Sequence, residues 1–294
     1  MRKLALLVLL LALLAQGVHA MEPDVIVYPR PASGGDTRFD YHLSLLREAL
    51  NRTVPEYGPF ELHPSSLVMN QLRQFDLLER GTPGLDVSIK PTSVKWEQLL
   101  TPVRIPLGKG LLGWRILLIR KSKQGAFAQV ENIDDLKAYK AGQGFSWSDV
   151  EILRHNGLTV VEGTMYEGLF RMLLSDRFQF FPRGVGEALV EWDERHEELP
   201  QLHVEETLLL HYPFARYFWT GNSERGRLLN ERIYKGLDSM IRDGSFDTMF
   251  QNHYGESIRR AGLSDRKLIR LVNPNIPVST PIDRKELWFN PFAE

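Results

Sequence analysis

The sequence predicts an α/β protein of two lobes, and three patterns carry that prediction. Between residues 24 and 89, short apolar runs alternate with stretches whose apolar residues recur at helical spacing. A second series of the same kind begins near residue 133, and two long extended segments lie before and after it, at 110–121 and 212–220. Alternating strands and helices imply right-handed crossovers and a parallel sheet in each series. The extended segments are then two crossover strands between lobes.

The first series begins with "DVIVY", whose continuous apolar character is typical of a buried strand. Asp36 or Thr37 is placed to cap the next helix, in which Phe39 and three leucines recur at 3.6-residue spacing. "FELHP" and "LDVSI" are predicted as the second and third strands. Between them, Asn70 begins a helix that Gly81 ends.

The second series contains two capping-box patterns. Ser148-x-x-Glu151 and Thr164-x-x-Glu167 each place an acid three residues after a hydroxyl, which predicts a helix start at each. "FQFF" is the next strand, and residues 187–198 form a charged helix.

Two helices and a proline-rich tail complete the predicted chain. Residues 224–242 are amphipathic, and "SFDTMFQNHYG" predicts a shorter second helix. The tail from 256 contains four prolines, so beyond a helix at 264–270 we expect extended chain. The predicted domains are a signal peptide at 1–20, lobe 1 at 21–115 and 217–255, lobe 2 at 116–216, and a C-terminal extension at 256–294 that packs on lobe 1.

The N-terminus predicts export. Arg2 and Lys3 precede an apolar run from Leu4 to Ala15, and a small-x-small pattern ends at Ala20. That run is shorter than the roughly 20 residues that span a bilayer. We therefore predict a cleaved signal peptide; an uncleaved anchor or an exposed amphipathic segment is the alternative.

Composition narrows the function classes. The formal charge of −1 argues against nucleic acid as the main partner, because binding phosphates requires a basic surface. The chain has no cysteine, which excludes disulfides, thiolate metal sites and a lipid-bearing cysteine. A free periplasmic protein, a monomer without cofactor or metal, is the expectation.

Four segments together resemble the bacterial extracellular solute-binding proteins of family 3, the periplasmic components of amino-acid-type transport. They are "LLERGTPGLDVSIKPTSVKWEQLLTPVRIPL", "IDDLKAYKAGQG", "YEGLFRMLLSDRFQFF" and "RIYKGLDSMIRDGSFDTMFQNHYG", in the family's order. The resemblance covers roughly 25–255 and implies a periplasmic-binding-protein-like type II fold, a Venus flytrap. It also implies a small ligand held between the lobes, hinge closure, and delivery to a membrane permease.

The chain departs from the ligand signature of the amino-acid binders it resembles. Their carboxylate-clamping arginine is missing from the segment Thr92 to Glu97, where Lys95 supplies charge without a guanidinium fork. Where they keep an aspartate for the ammonium group, this chain has Arg183 and Gly184. These departures favour a small polar or anionic ligand over a zwitterionic amino acid.

We hypothesise that Arg183, together with the helix start at 146–148, binds such an anion. The alternative for Arg183 is a surface or ion-paired loop residue. The alternative for the aromatic candidates is packing in the core or within a lobe. The predicted ligand-binding residues are Tyr28, Thr92, Ser93, Lys95, Trp96, Ser146, Trp147, Tyr166 and Arg183.

Three functions remain open. The first is a solute-binding protein for a transporter, and the second is a sensor or accessory protein with the same fold. The third, an enzyme on this fold, lacks the known catalytic motifs, so we predict no catalytic residues; Glu97, Glu162 and Glu167 are the acids available to it.

Overall fold

The computed structural model describes residues 22–31 and 39–293. The predicted signal peptide and the capping residues Asp36 and Thr37 lie outside these ranges. The strands are β1 (Asp24–Tyr28), β2 (Phe60–Pro64), β3 (Val87–Pro91), β4 (Thr101–Val103), β5 (Trp114–Arg120), β6 (Lys140–Gly144), β7 (Thr159–Gly163), β8 (Phe180–Gly184), β9 (Leu202–Val204), β10 (Leu208–His211), β11 (Arg216–Thr220) and β12 (Lys267–Arg270).

Helices alternate with these strands. They are α1 (Asp40–Arg52), α2 (Val54–Tyr57), α3 (Gln71–Arg80), α4 (Val94–Glu97), α5 (Gln124–Phe127), α6 (Ile133–Leu136), α7 (Ser148–His155), α8 (Tyr166–Leu174), α9 (Val185–Asp193), α10 (Glu224–Arg242) and α11 (Ser245–Ala261). No helix in the described part of the chain is long and apolar enough to cross a membrane.

The strands form three sheets. We call the part with β1–β4 and β11, which holds two of them, the first lobe, and the part with β5–β10 and β12 the second lobe. In the first lobe β1 pairs with β2 in parallel, and β11 lies antiparallel between β3 and β4. In the second lobe a seven-stranded sheet runs in the order β12-β10-β5-β8-β6-β7, and β9 pairs with β5. Strands β6, β7 and β8 are parallel, and β5 is antiparallel to β8 and β10. The strands of the two predicted series thus lie in different sheets.

Each sheet buries apolar side chains on both faces. In the first lobe α1 and α10 cover one face and α3 covers the other. Helix α10 lies so close to α1 that a Cβ on Gly236 would be 2.0 Å from the carbonyl oxygen of Ala49. The second lobe buries an apolar cluster on each face of its sheet.

The capping patterns in the sequence predicted one helix start correctly and two incorrectly. Asn70 caps α3 by accepting a hydrogen bond from the N–H of Arg73 at 2.9 Å, and Gly81 ends it with a φ of 61°, as predicted. The two capping boxes are wrong, because Trp147 and Met165 occupy the cap positions and no side chain caps either helix. Trp147 takes its position because its indole packs on Gly144, where a Cβ would lie 2.3 Å from the ring.

Two segments connect the lobes side by side. One runs from β4 to β5 and the other from β10 to β11. They are joined by a hydrogen bond from the N–H of Leu107 to the carbonyl of Arg216 at 3.0 Å. Helix α11 packs against α10 of the first lobe and α9 of the second.

The C-terminal extension differs from the prediction in two respects. Residues 264–270, predicted as helix, form a 3₁₀ turn and strand β12, which pairs with β10 in the second lobe. The extension also packs on both lobes rather than on lobe 1 alone. Farther along, Trp288 reaches the first lobe, where it packs over Gly110 and contacts its apolar clusters. Strand formation prevails because β10 offers a free edge for backbone hydrogen bonds.

Candidate functional site

The carboxyl ends of the parallel strands define the candidate site. In open α/β sheets ligands bind outside these ends, where helix N-termini also point. Tyr28 ends β1, and Lys90 and Pro91 end β3, in the first lobe. Gly144 and Gly184 end β6 and β8 in the second lobe. Most predicted ligand residues lie on these ends or just after them.

Arg183 is paired within its own lobe. It is 7% exposed, and its Nε lies 2.8 Å and its Nη2 2.5 Å from the two carboxylate oxygens of Glu191. Glu187 lies 3.2 Å from the same guanidinium. Burial lowers the pKa of Arg183, but Glu187 and Glu191 outweigh that effect and raise it. Its charge is already neutralised, so the ion-paired alternative describes this residue better than the anion-binding hypothesis.

Two aromatic candidates surround Arg183. Trp147 lies with its ring 4.9 Å from the Arg183 guanidinium and stacks on Phe181. Tyr166 donates a hydrogen bond from its hydroxyl to Glu191 at 2.6 Å. The structure thus brings Arg183, Trp147 and Tyr166 together, as a packed cluster within the second lobe. Ser146, also predicted here, is exposed beside the cluster with a φ of 65°.

A second ion network in the same lobe was not predicted. Arg115 on β5 is 2% exposed, and its Nη2 lies 2.6 Å from the Oδ1 of Asp149 in the first turn of α7. Its Nη1 lies 3.6 Å from Glu187, and Tyr212 donates a hydrogen bond to Asp149. An arginine inside the apolar run "GWRILLIRK" was the available signal, since a buried strand seldom carries a charge without a partner.

Glu187 links the two networks. Burial raises its pKa, but Arg183, Arg115 and Arg216 together hold it at about 2. The carboxylate is therefore ionised over the ordinary range of pH. It also accepts a hydrogen bond from the N–H of Gly184 at 3.1 Å, which orients it at the start of α9.

The predicted residues of the first lobe gather around α4. Ser93 caps this helix by accepting from the N–H of Trp96, and Thr92 donates its hydroxyl to Glu97 at 2.7 Å. Trp96 packs on Phe75, with a ring-centroid distance of 4.5 Å, and Lys95 is exposed. Three of these residues therefore hold the local structure, and Lys95 alone among the four projects into solvent. Tyr28 is partly buried at the end of β1 and packs against the apolar core of the first lobe.

The tail reaches this part of the first lobe. The carbonyl of Asn275 accepts the N–H of Val94, at the start of α4, at 3.0 Å. The side-chain amide of Asn275 donates to Glu151 of α7 at 2.5 Å. One residue of the extension therefore joins both lobes.

The three acids open to an enzymatic role are all ion-paired. Glu97 pairs with Arg104, Glu162 with Arg154 at 2.8 Å, and Glu167 with Arg195 at 2.7 Å. Within the described ranges, no group of three or more acids or histidines is placed to hold a metal ion.

A wide surface groove lies elsewhere, between α1 and the first turn of α11. Arg47, Glu48 and Asp243 are among its lining residues, and it is open to solvent. Its lining carries none of the strand-end residues described above.

Comparison with known proteins supports the fold. No family profile matches the sequence, and no curated protein matches it. An ancestral arginine-binding protein bound to arginine is similar in structure, with a TM-score of 0.54, 16% identity, and coverage of 81% of this chain and 100% of that one.

Two further structures are comparable. An arginine-specific periplasmic binding protein of Salmonella typhimurium has a TM-score of 0.54 at 14% identity, covering 79% of this chain and 99% of its own. A histidine kinase sensor domain similar to periplasmic binding proteins has a TM-score of 0.53 at 15% identity, covering 80% and 97%. The chain has the two-lobed periplasmic-binding-protein fold predicted from its sequence.

Proposed function

We propose that this protein is a solute-binding protein that captures a small polar or anionic ligand between its two lobes by hinge closure, for delivery to a membrane transporter. The observation that carries the proposal is a group of polar side chains where the lobes join. There, Tyr254 of α11 packs over Gly186 of α9, close to Glu187 and to the crossing at Arg216. Such a site lies where hinge motion changes its width.

The proposal includes the predicted domains and location. Residues 21–115 and 217–255 form lobe 1, and 116–216 form lobe 2. The segment 1–20 directs export to the periplasm and is cleaved, leaving a monomer without a lipid anchor. Mass spectrometry of the protein purified from the periplasm tests this, and an intact residue 1 there would contradict it.

Native mass spectrometry of the purified protein tests ligand capture. We expect a bound small molecule, released on denaturation, whose mass identifies its chemical class. A thermal-unfolding screen of small metabolites gives the second measurement, because a ligand that binds only the folded state raises the melting temperature. A protein that carries no ligand and is stabilised by none of the metabolites contradicts the proposal.

A sensor or accessory role is the second candidate, and the extension favours it. Asn275 holds α4 of the first lobe and α7 of the second, so hinge motion requires one of these contacts to break. A ligand that released the tail would produce a signal without a transporter. Identifying the membrane proteins that co-purify with this protein distinguishes the two roles. A permease supports transport, and a kinase or cyclase supports sensing.

A further inference from the structure

Arg216 lies at the crossing between the lobes and has no partner among the described residues. Its backbone is fixed there, because its carbonyl accepts the N–H of Leu107. Its side chain forms no hydrogen bond or ion pair with any residue in 22–31 or 39–293, and its Nε is buried without an acceptor. Burial lowers the pKa of Arg216, and the attraction of Glu187 does not offset that effect.

Arg115 and Arg120 also have a buried Nε without an acceptor, but each has another nitrogen that is paired, whereas none of the nitrogens of Arg216 is paired with a described residue. Arg115 pairs with Asp149, Arg183 pairs with Glu191, and Arg232 donates to the carbonyl of Gly58 at 2.8 Å. A guanidinium has five N–H donors, and a buried donor without a partner is unfavourable. The exception at Arg216 therefore indicates a position that an acceptor from outside the chain fills.

Groups of both kinds lie around Arg216: the acids Glu187 and Asp149, and donors that include Tyr254. Tyr254 is near enough for its pKa to be affected by the Arg216 charge, and its hydroxyl has no hydrogen bond to the described residues. Its ring lies over Gly186, where a Cβ would be 2.9 Å away, so the first turn of α9 borders the same space. The first N–H groups of a helix have no partner within it. A guanidinium, a hydroxyl and free N–H groups are together suited to a carboxylate.

The nearby acids restrict the charge of that ligand, and one of them, Asp149, is already paired with Arg115. Glu187 lies close enough to Arg216 to influence its pKa, yet its carboxylate is engaged by Arg183, Arg115 and Gly184. An ion with two negative charges would meet repulsion from Glu187, whereas a single carboxylate places its one charge on the guanidinium.

We infer that Arg216 binds the carboxylate of a small monocarboxylate ligand, with Tyr254 and the amino end of α9 completing the contact. This assignment rests on the proposed function and moves its anion-binding group from Arg183 to Arg216. Because Arg216 belongs to a first-lobe strand and α9 to the second lobe, the same carboxylate joins the two lobes.

Ligand affinity of Arg216→Gln and Arg216→Lys tests the assignment. Lactate, propionate and gluconate serve as monocarboxylate probes. Lactamide is the uncharged control for lactate, and sulfate is the dianion control. Binding is measured by calorimetric titration and by thermal unfolding. Arg120→Gln is the matched control, because Arg120 also has a buried Nε without an acceptor but lies at the last residue of β5, away from the crossing. Tyr254→Phe tests the second donor.

We expect at least one monocarboxylate to bind the unaltered protein and Arg120→Gln equally, and lactamide and sulfate to bind neither. Arg216→Gln should weaken that affinity about 10- to 100-fold, the effect of losing a charge-assisted hydrogen bond. Arg216→Lys keeps the positive charge and the aliphatic part of the side chain, so it should lose less affinity. It provides the measurement if the glutamine variant does not fold.

Three outcomes overturn the assignment: no binding of any monocarboxylate to the unaltered protein, unchanged affinity in both Arg216 variants, or sulfate binding as tightly as the carboxylates. The proposed function survives each of them if native mass spectrometry still finds a captured solute.

Discussion

Replacing Lys90 with methionine is expected to stabilise the protein at neutral and acidic pH. Lys90 is 5% exposed on β3, and its ammonium lies 3.4 Å from the ring centroid of Trp96 and 4.3 Å from that of Phe75. In the part of the chain that the structure describes, no carboxylate pairs with it. Burial, and then the charge of Lys95, lower its pKa from 10.5 to about 7.

The direction of the pKa shift decides whether stability rises or falls with pH. A base with a lowered pKa in the folded state binds fewer protons there than in the unfolded state, so stability rises with pH between about 7 and 10.5. At 1.36 kcal/mol per pKa unit, the penalty below pH 7 is about 5 kcal/mol. The attraction of the ammonium to the rings of Trp96 and Phe75 offsets about 1–2 kcal/mol of this penalty. Because the ammonium keeps some access to water, we expect a net gain of about 2 kcal/mol for Lys90→Met.

Urea unfolding from about pH 6 to pH 10.5 measures this effect, since the denaturation midpoint and slope give the free energy of unfolding. The variant should exceed the unaltered protein at pH 6, and the difference should shrink by up to about 1.4 kcal/mol per pH unit above 7. Lys95→Met, at an exposed position, is the control and should change stability by less than about 0.5 kcal/mol. A Lys90→Met variant that is less stable at pH 6, or a difference independent of pH, would refute the reasoning.

Three further substitutions test other contacts. Glu191→Gln leaves the buried charge of Arg183 partly uncompensated, and should cost about 3 kcal/mol of unfolding free energy in denaturant titration; an unchanged midpoint would contradict the pairing. Gly236→Ala forces α10 away from α1 and should cost at least about 1–3 kcal/mol in the same assay, whereas a neutral result would mean that the helices are farther apart. Asn275→Asp places a carboxylate against Glu151 and should speed hydrogen exchange near the start of α4, while Asn275→Ala should do so less; equal exchange in both would show that the tail does not hold the lobes.

The fold was predictable because its signals are local and repeated. Helix α10 begins and ends where the amphipathic pattern predicts, at Glu224 and Arg242. Asn70 and Gly81 bound α3, because a side-chain cap and a left-handed glycine act within one turn of the helix. The capping boxes at Ser148 and Thr164 failed although they are equally local, because Trp147 and Met165 take the cap positions. At α7 the indole of Trp147 packs on Gly144, three residues earlier.

The sequence predicted where the candidate site lies but not which of its charged groups are available to a ligand. The sequence alone placed Arg183 at a strand end, but the charge available to a ligand depends on which acids reach it. Glu191 is eight residues away, and its pairing with Arg183 requires one β8 side chain and one α9 side chain to point to the same side. Arg216 gave no sequence signal, since its importance lies in having no paired acceptor among the described residues.

The sequence by itself determined the alternation of strands and helices, the two crossings and hence the two lobes, because periodicity and caps are read from neighbouring residues. Only the tertiary structure decided which arginines are neutralised and where the extension lies. Those outcomes depend on side chains brought together from distant segments, such as Arg115 and Asp149, or Asn275 and Glu151. Electrostatic pairing acts over a few ångströms in space and leaves no periodic pattern along the chain.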